Sequence, residues 1–127
     1  MPQAFEVLNK TKTKLPNLGF LDIKNYVLGP EYELSLVFVS PEEMHDINFK
    51  TRQKDNPTNI LSFPLDKKSG EIFICPEYGK KENHLFERSF ENYLAFLFIH
   101  GLVHLKGLDH GSKMENEEIR VREKFEI

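Results

Sequence analysis

The sequence has little of what marks secreted, membrane-bound or disulfide-stabilised proteins. A single cysteine in 127 residues cannot form an internal disulfide, which favours a reducing, cytoplasmic location. No apolar run approaches the roughly 18 residues of a membrane span. The first ten residues, MPQAFEVLNK, lack the basic and apolar regions of a signal peptide. We therefore expect one cytoplasmic domain that covers residues 1–127 and has no membrane partner.

An excess of basic residues is also absent. The formal net charge of −3 excludes a globally basic nucleic-acid binder. A local basic patch beside a metal ion can nevertheless attract phosphate, whatever the overall charge. Arg52 and Lys54 are the basic side chains that we expect to act in this way. The alternative is that both are solvated residues of a loop.

The most informative stretch is HGLVHLKGLDH, residues 100–110. His100 and His104 are four residues apart, so on a helix their side chains share one face. Gly107 is expected to end that helix in the left-handed conformation and to turn His110 towards them. Three histidine ligands leave a fourth position open, as in catalytic zinc sites, and nickel or copper would also suit them. A lone core histidine is the ordinary alternative, but three of the five histidines fall here.

Gly101 separates this stretch from the metalloproteases. Those enzymes carry a glutamate directly after the first histidine, where it acts as the general base. A glycine has no side chain that can deprotonate water, which disfavours peptidase chemistry. A metal hydrolase of amide or ester bonds stays an alternative because the histidine spacing is the same.

Hydrophobic periodicity and capping signals predict the element order β-α-β-α-β-β-α-α. The strands are expected at 4–9, 32–39, 60–65 and 71–75, and the helices at 17–28, 41–50, 83–106 and 112–125. Ser40 and Ser112 are the expected N-caps of the second and fourth helices, and 52–59 is expected to be a loop. Helix 83–106 is apolar nearly all round in its second half, so it should be buried and hold the histidines rigidly. The pattern predicts a single α+β (mixed α/β) domain with one small sheet.

Residues 100–110 resemble the signature His-Gly-x-x-His-Leu-x-Gly-x-Asp-His of the bacterial YbeY family of metal-dependent endoribonucleases. Residues 52–64, RQKDNPTNILSFP, resemble the second block of that family: an arginine, then Pro-Thr-Asp/Asn-Val-Leu-Ser-Phe-Pro. A weaker match lies at Gly70-Glu71-Ile72, where the family tends to have Gly-Asp-Ile, so the role of Glu71 stays open. The resemblance runs in order over about residues 30–125.

This resemblance implies a mostly parallel four-stranded sheet flanked by helices, with the metal site in a cleft beside it. It implies one zinc ion per chain at His100, His104 and His110, and single-stranded RNA as the substrate. It further implies a role in 16S rRNA 3′-end maturation and ribosome quality control. The small ribosomal subunit and its rRNA are the implied partners, with a ribosomal protein or a GTPase as further candidates.

Two residues would assist the cleavage in such an enzyme. Arg52 would bind a phosphate oxygen or stabilise the transition state, with Lys54 helping to bind the substrate. Asp109 would orient the imidazole of His110 or accept a proton from the metal-activated water that attacks the phosphodiester, although it would equally serve as a loop cap. Thr58, Asn59 and Ser62 either line the cleft or simply form a turn and the start of a strand.

A third hypothesis is a non-catalytic, ribosome-associated module with a structural metal. It requires a fourth protein ligand, for which Cys75 is the obvious candidate. The distant strand position of Cys75 argues against this, and we expect its thiol to pack as a small apolar group.

Overall fold

The computed structural model describes residues 4–53, 58–108 and 111–127. In chain order the strands and helices are β1 Phe5–Asn9, α1 Phe20–Leu28, β2 Glu33–Phe38, α2 Pro41–Arg52, β3 Ile60–Asp66, β4 Ser69–Ile74, α3 Pro76–Glu82, α4 Phe90–Leu105 and α5 Ser112–Lys124. A short 3₁₀ helix, Asn83–Phe86, connects α3 to α4.

The four strands form one sheet in the order β1-β2-β4-β3. β2 pairs in parallel with β1 and β4, whereas β3 runs antiparallel to β4. The predicted α+β fold with a mostly parallel four-stranded sheet is therefore confirmed. Strand β3 continues to Asp66, one residue beyond its predicted end, through an irregularity in its pairing after Pro64. Proline is tolerated there because β3 is an edge strand.

Helix α4 lies across the sheet and is the centre of the hydrophobic core. Ten of its sixteen residues are buried, as its apolar sequence predicts. They pack against the inward-facing side chains of β2 and β4, among them Leu36, Phe38, Ile72 and Ile74, and against α1 and α5. Among the helices that the structure describes, none has the length and apolar character that crossing a bilayer requires.

The region before α4 differs from the predicted single helix over 83–106. The chain forms α3 and the 3₁₀ helix first, and α4 begins only at Phe90. Glu87 adopts the left-handed conformation with φ 54°, which interrupts the helix. Ser89 then starts α4, because its hydroxyl accepts a hydrogen bond from the Asn92 N–H at 3.1 Å. Pro76 at the first turn of α3 was the signal for the helix that sequence reasoning missed.

The boundaries of the other predicted helices also differ from the prediction. The Ser40 cap is confirmed by its 3.2 Å hydrogen bond from the Glu43 N–H, but α2 continues to Arg52, which the sequence assigned to a loop. Ser112 is the first residue of α5 rather than its cap, and Gly111 precedes it with no side-chain cap. Helix α1 begins at Phe20, after Gly19 in the left-handed conformation.

Candidate active site

A cleft of about 340 Å³ lies between the end of α2, the first half of β3 and the second half of α4. Its lining residues are Arg52, Ile60, Leu61, Ser62, Phe63, His100 and His104. Three of the side chains that the sequence singled out, Arg52 and the two histidines, therefore contribute to one cavity although they are far apart along the chain.

His100 and His104 lie on successive turns of α4, as their spacing predicts. Both side chains are half-buried, while most of their neighbours on the helix are fully buried. The helix ends directly after them: the Gly107 N–H donates to the His104 carbonyl at 3.0 Å, and Gly107 has φ 102°. The predicted glycine turn is confirmed, and only a residue without Cβ adopts that backbone angle easily.

Gly101, between the two histidines, lies where α4 packs tightly against the sheet. A Cβ atom built there would meet the Ser62 hydroxyl at 2.9 Å, and the Cδ1 atoms of Ile60 and Ile72 at 3.0 Å. The absence of a side chain thus sets how close the histidines come to β3, which forms the opposite wall of the cleft. A glutamate at this position, as in metalloproteases, would have its carboxylate buried among apolar atoms.

Gly101→Ala is expected to lower the free energy of unfolding by about 1 kcal/mol. The better helix propensity of alanine contributes about 1 kcal/mol, but overpacking a tight contact costs about 1–3 kcal/mol. Urea unfolding of both proteins measures the difference. Gly79→Ala in α3 is the matched control, because a Cβ there meets its neighbours only at ordinary distances of 3.5–3.7 Å. Equal effects of the two substitutions would contradict the close-approach explanation.

A buried carboxylate on α5 holds one of the histidines. The Nδ1 atom of His100 lies 3.0 Å from Oε1 of Glu118, whose residue is only 9% exposed. An ionised carboxylate only accepts hydrogen bonds, so the Nδ1 atom of His100 donates and carries the proton. Nε2 is then the nitrogen with the lone pair for coordination, which is how carboxylates commonly orient metal-binding histidines.

Sequence reasoning missed Glu118, although a signal for it exists. Met114, Glu118 and Val121 are the buried residues of α5, at the i, i+4 and i+7 spacing of its inward face. A charged residue on such an apolar stripe needs a partner within the core. The sequence alone does not show that this partner is His100.

Arg52 is the last residue of α2 and is exposed beside the cleft. Met44, one of the buried residues of α2, packs in a small apolar cluster with Leu61 of β3, and this contact fixes the helix relative to the cleft wall. Gln53 follows in the left-handed conformation with φ 55°, so the chain turns away directly after Arg52. The guanidinium group of Arg52 therefore extends from the C-terminal end of α2.

The polar residues just before β3 and at its start have different roles. The side-chain amide of Asn59 donates to the Tyr93 hydroxyl at 3.3 Å and to a Glu82 carboxylate oxygen at 3.4 Å, which ties the start of β3 to α4 and α3. Burial, with the adjacent Glu82 carboxylate, raises the pKa of Tyr93 to about 12. Thr58 donates to the Ile60 carbonyl in a local turn, whereas Ser62 lines the cleft.

A family model described as Endoribonuclease YbeY matches residues 7–126. The chain belongs to the YbeY family. Described residues of both sequence blocks line the same cleft: Arg52 and residues 60–63 from the first, and His100 and His104 from the second.

Curated YbeY relatives match most of the chain. The Endoribonuclease YbeY of Rubrobacter xylanophilus is 39% identical over 135 residues, which cover 94% of this chain and 90% of the relative. The Endoribonuclease YbeY of Alkaliphilus metalliredigens is 38% identical over an alignment of 107 residues, which covers 76% of this chain and 69% of the relative. The solution structure of TM1509 from Thermotoga maritima has a TM-score of 0.69 and 25% identity, and the match covers 95% of this chain and 88% of that one.

Three of the site residues predicted from the sequence, Lys54, Asp109 and His110, lie outside the described residues. Within residues 4–53, 58–108 and 111–127 there is no group of three or more His, Cys, Asp or Glu side chains placed to hold a metal ion. These ranges contain two of the three predicted ligands. Their chemistry fits a zinc site in a YbeY chain, because both are imidazoles on one rigid helix and one is held by a buried carboxylate.

Proposed function

We propose that this chain is a metal-dependent endoribonuclease that hydrolyses phosphodiester bonds in single-stranded RNA. The observation that supports this most directly is the meeting of Arg52, His100 and His104 around one cleft. Membership of the endoribonuclease YbeY family supports RNA as the substrate class.

The residues that would hold the metal are His100 and His104 of α4, with His110 as the third ligand predicted from the sequence. Zinc is the ion that we propose, one per chain, with nickel or another divalent metal as a substitute. When bound, such an ion supplies a Lewis acid that lowers the pKa of water towards about 7. The chain itself contributes the orientation of the imidazoles, through the rigidity of α4 and the carboxylate of Glu118.

Arg52 is proposed to bind the phosphate that is cleaved. Its guanidinium offers donors in a planar fork that matches two phosphate oxygens, and charge that builds on these oxygens strengthens the contact. The hydroxyl of Ser62 is a further polar group of the cleft, between the apolar walls formed by Ile60 and Phe63. We retain Lys54 as a substrate-binding residue and Asp109 as a proton acceptor or orienting residue, on the sequence argument alone.

The finer biological role rests on the family resemblance. We propose that the RNA is the 3′ end of 16S rRNA and that the protein acts in the cytoplasm on the small ribosomal subunit, in maturation and quality control. A ribosomal protein or a GTPase is the proposed type of partner that would bring it to the subunit.

The two alternatives are weaker. Hydrolysis of amide or ester bonds lacks the glutamate base, and the contacts of Gly101 with Ser62, Ile60 and Ile72 leave no room for one. A structural metal needs a fourth ligand such as Cys75, whose side chain is fully buried in an apolar cluster with Val39, Met44 and Leu61. Burial raises the pKa of the Cys75 thiol, which disfavours the thiolate that binds zinc.

The test is cleavage of one labelled RNA in single-stranded and duplex form, and of the same sequence as DNA. We expect zinc-loaded protein to cut the single-stranded RNA internally, to lose this activity when a chelator removes the metal, and to regain it when zinc is restored. A His104→Ala protein purified in the same way measures contaminating nuclease. Cleavage that is equal in the variant or unaffected by chelation would contradict the proposal.

A further inference from the structure

Beyond the cleft, α4, α5 and the segment that precedes α4 carry a second group of side chains that the proposed chemistry does not use. This arginine–aromatic patch consists of Phe86, Arg88, Phe96 and Arg122. The guanidinium carbons of Arg88 and Arg122 lie 4.6 and 5.1 Å from the centre of the Phe96 ring. Two cations from different elements therefore share one aromatic ring.

The patch carries two positive charges, those of Arg88 and Arg122. None of the ion pairs among the described residues involves Arg88 or Arg122. The pKa of Arg88 is lowered by burial and, to a smaller extent, by the charge of Arg122. Two like charges held close together and partly away from water repel each other, so an anion that contacts both would stabilise the arrangement.

Arg120 provides a comparison on the same helix. Its guanidinium carbon lies 5.3 Å from the centre of the Tyr26 ring, in a similar cation–aromatic contact. In contrast to the patch, Arg120 forms an ion pair with Glu117. Contact with an aromatic ring is thus common to both sites, whereas of these three arginines only Arg120 forms an ion pair with a carboxylate of the described residues.

The aromatic part of the patch is open to solvent. Phe86 in the 3₁₀ helix is 49% exposed, and its ring stacks on Tyr93 with 5.2 Å between the centroids and 22° between the planes. The same ring lies 5.9 Å from Phe96. An exposed flat ring beside two guanidinium groups is the combination with which proteins bind single-stranded nucleic acids, through base stacking and phosphate contacts.

The patch also lies next to the candidate active site. Phe96 precedes His100 by four residues on α4, and Arg122 follows Glu118 by four residues on α5. Each is therefore one helical turn, about 6 Å of rise, from the hydrogen-bonded pair of His100 and Glu118. A strand of RNA in the cleft would need only a short extension along α4 to reach the arginines.

We propose that the arginine–aromatic patch is a subsite for single-stranded RNA next to the cleaved bond, with a phosphate between Arg88 and Arg122 and a base on Phe86. The identity of the ligand rests on the proposed function, while the anionic and planar character of the ligand follows from the patch itself. An acidic protein segment would satisfy the arginines but would not use the exposed ring.

Binding is tested without cleavage, by fluorescence anisotropy of a labelled oligouridylate with metal-stripped protein. We expect the double substitution Arg88→Gln with Arg122→Gln to weaken binding about tenfold or more. The slope of log affinity against log salt should fall by about 0.7 for each arginine removed. Phe86→Ala should weaken binding about tenfold through lost stacking. Circular dichroism confirms that each variant is folded.

Arg120→Gln and Leu85→Ala are the matched controls, since they remove an ion-paired arginine and an apolar side chain that is 70% exposed beside Phe86. Both should bind the oligouridylate like the unmodified protein.

If the patch variants also bind like the unmodified protein, the subsite is wrong while the nuclease proposal stands. An oligoglutamate peptide tests the alternative ligand. If it binds more tightly than RNA and only its binding depends on the arginines, the ligand of the patch is an acidic protein segment and not RNA. If chelation abolishes RNA cleavage by the unmodified protein while all variants still bind RNA normally, the nuclease proposal is supported and only the subsite is overturned.

Discussion

Replacing Arg52 by alanine is expected to lower kcat for RNA cleavage by about 10²–10³ with the metal content unchanged. The expected loss is this large because a preorganised donor aimed at developing phosphoryl charge acts mainly in the transition state. Arg52 is exposed and lies at the end of α2, so its removal should not disturb the core. Single-turnover cleavage, with zinc content measured on the same samples, tests the prediction.

Two further variants define the role of this guanidinium. Arg52→Lys keeps the charge but loses the planar fork, so it should recover only part of the activity. Lys50→Ala removes a neighbouring exposed cation of α2 and should leave kcat unchanged. If Arg52→Ala and Lys50→Ala lose activity equally, Arg52 contributes only to the overall positive potential of the protein and has no specific role in the reaction.

Removal of the Glu118 carboxylate is expected to weaken zinc binding about 10–100-fold in the Glu118→Ala variant. This variant loses the acceptor that keeps the proton on Nδ1 of His100, 3.0 Å away. Glu118→Gln retains a neutral acceptor and should have an intermediate affinity. Competition with a chromogenic chelator gives the affinities. Nitrogen chemical shifts of His100 in the metal-free protein report its tautomer directly, without any activity measurement.

Glu117→Gln is the control for this experiment. Glu117 is the adjacent glutamate of α5, and its carboxylate pairs with Lys106 at 3.2 Å and with Arg120. Its substitution changes the charge of the same helix without touching His100. Equal losses of zinc affinity in Glu117→Gln and Glu118→Gln would show that net charge, and not orientation of the imidazole, is responsible.

The parts of the fold that could be predicted are those with a local signal. The apolar sequence of α4 predicts its burial, the Ser40 cap predicts the start of α2, and Gly107 predicts where α4 ends. Each of these depends on residues within one or two turns of each other. The spacing of His100 and His104 belongs to the same class, and for this reason their common face on α4 could be predicted.

The features that sequence reasoning missed depend on contacts between distant residues or on a single backbone angle. Glu87 in the left-handed conformation divides a region whose composition suits one continuous helix. Glu118 reaches His100 only because α5 packs on α4, and Arg52 reaches the cleft because α2 extends beyond the predicted end. The role of Gly101 depends on Ser62 and on two isoleucines of neighbouring strands. Contacts between residues so far apart in the sequence cannot be predicted from any local pattern along the chain.

The burial of α4 also determines the order in which such a protein would mature. The helix that carries His100 and His104 packs through its apolar residues against those of β2 and β4. We therefore expect folding to come first, so that the proposed metal ion would enter a scaffold whose two helical ligands are already in position. Zinc fingers, in contrast, are unfolded without their metal. The metal supply of the cell would accordingly control how many molecules are active without changing how many are folded.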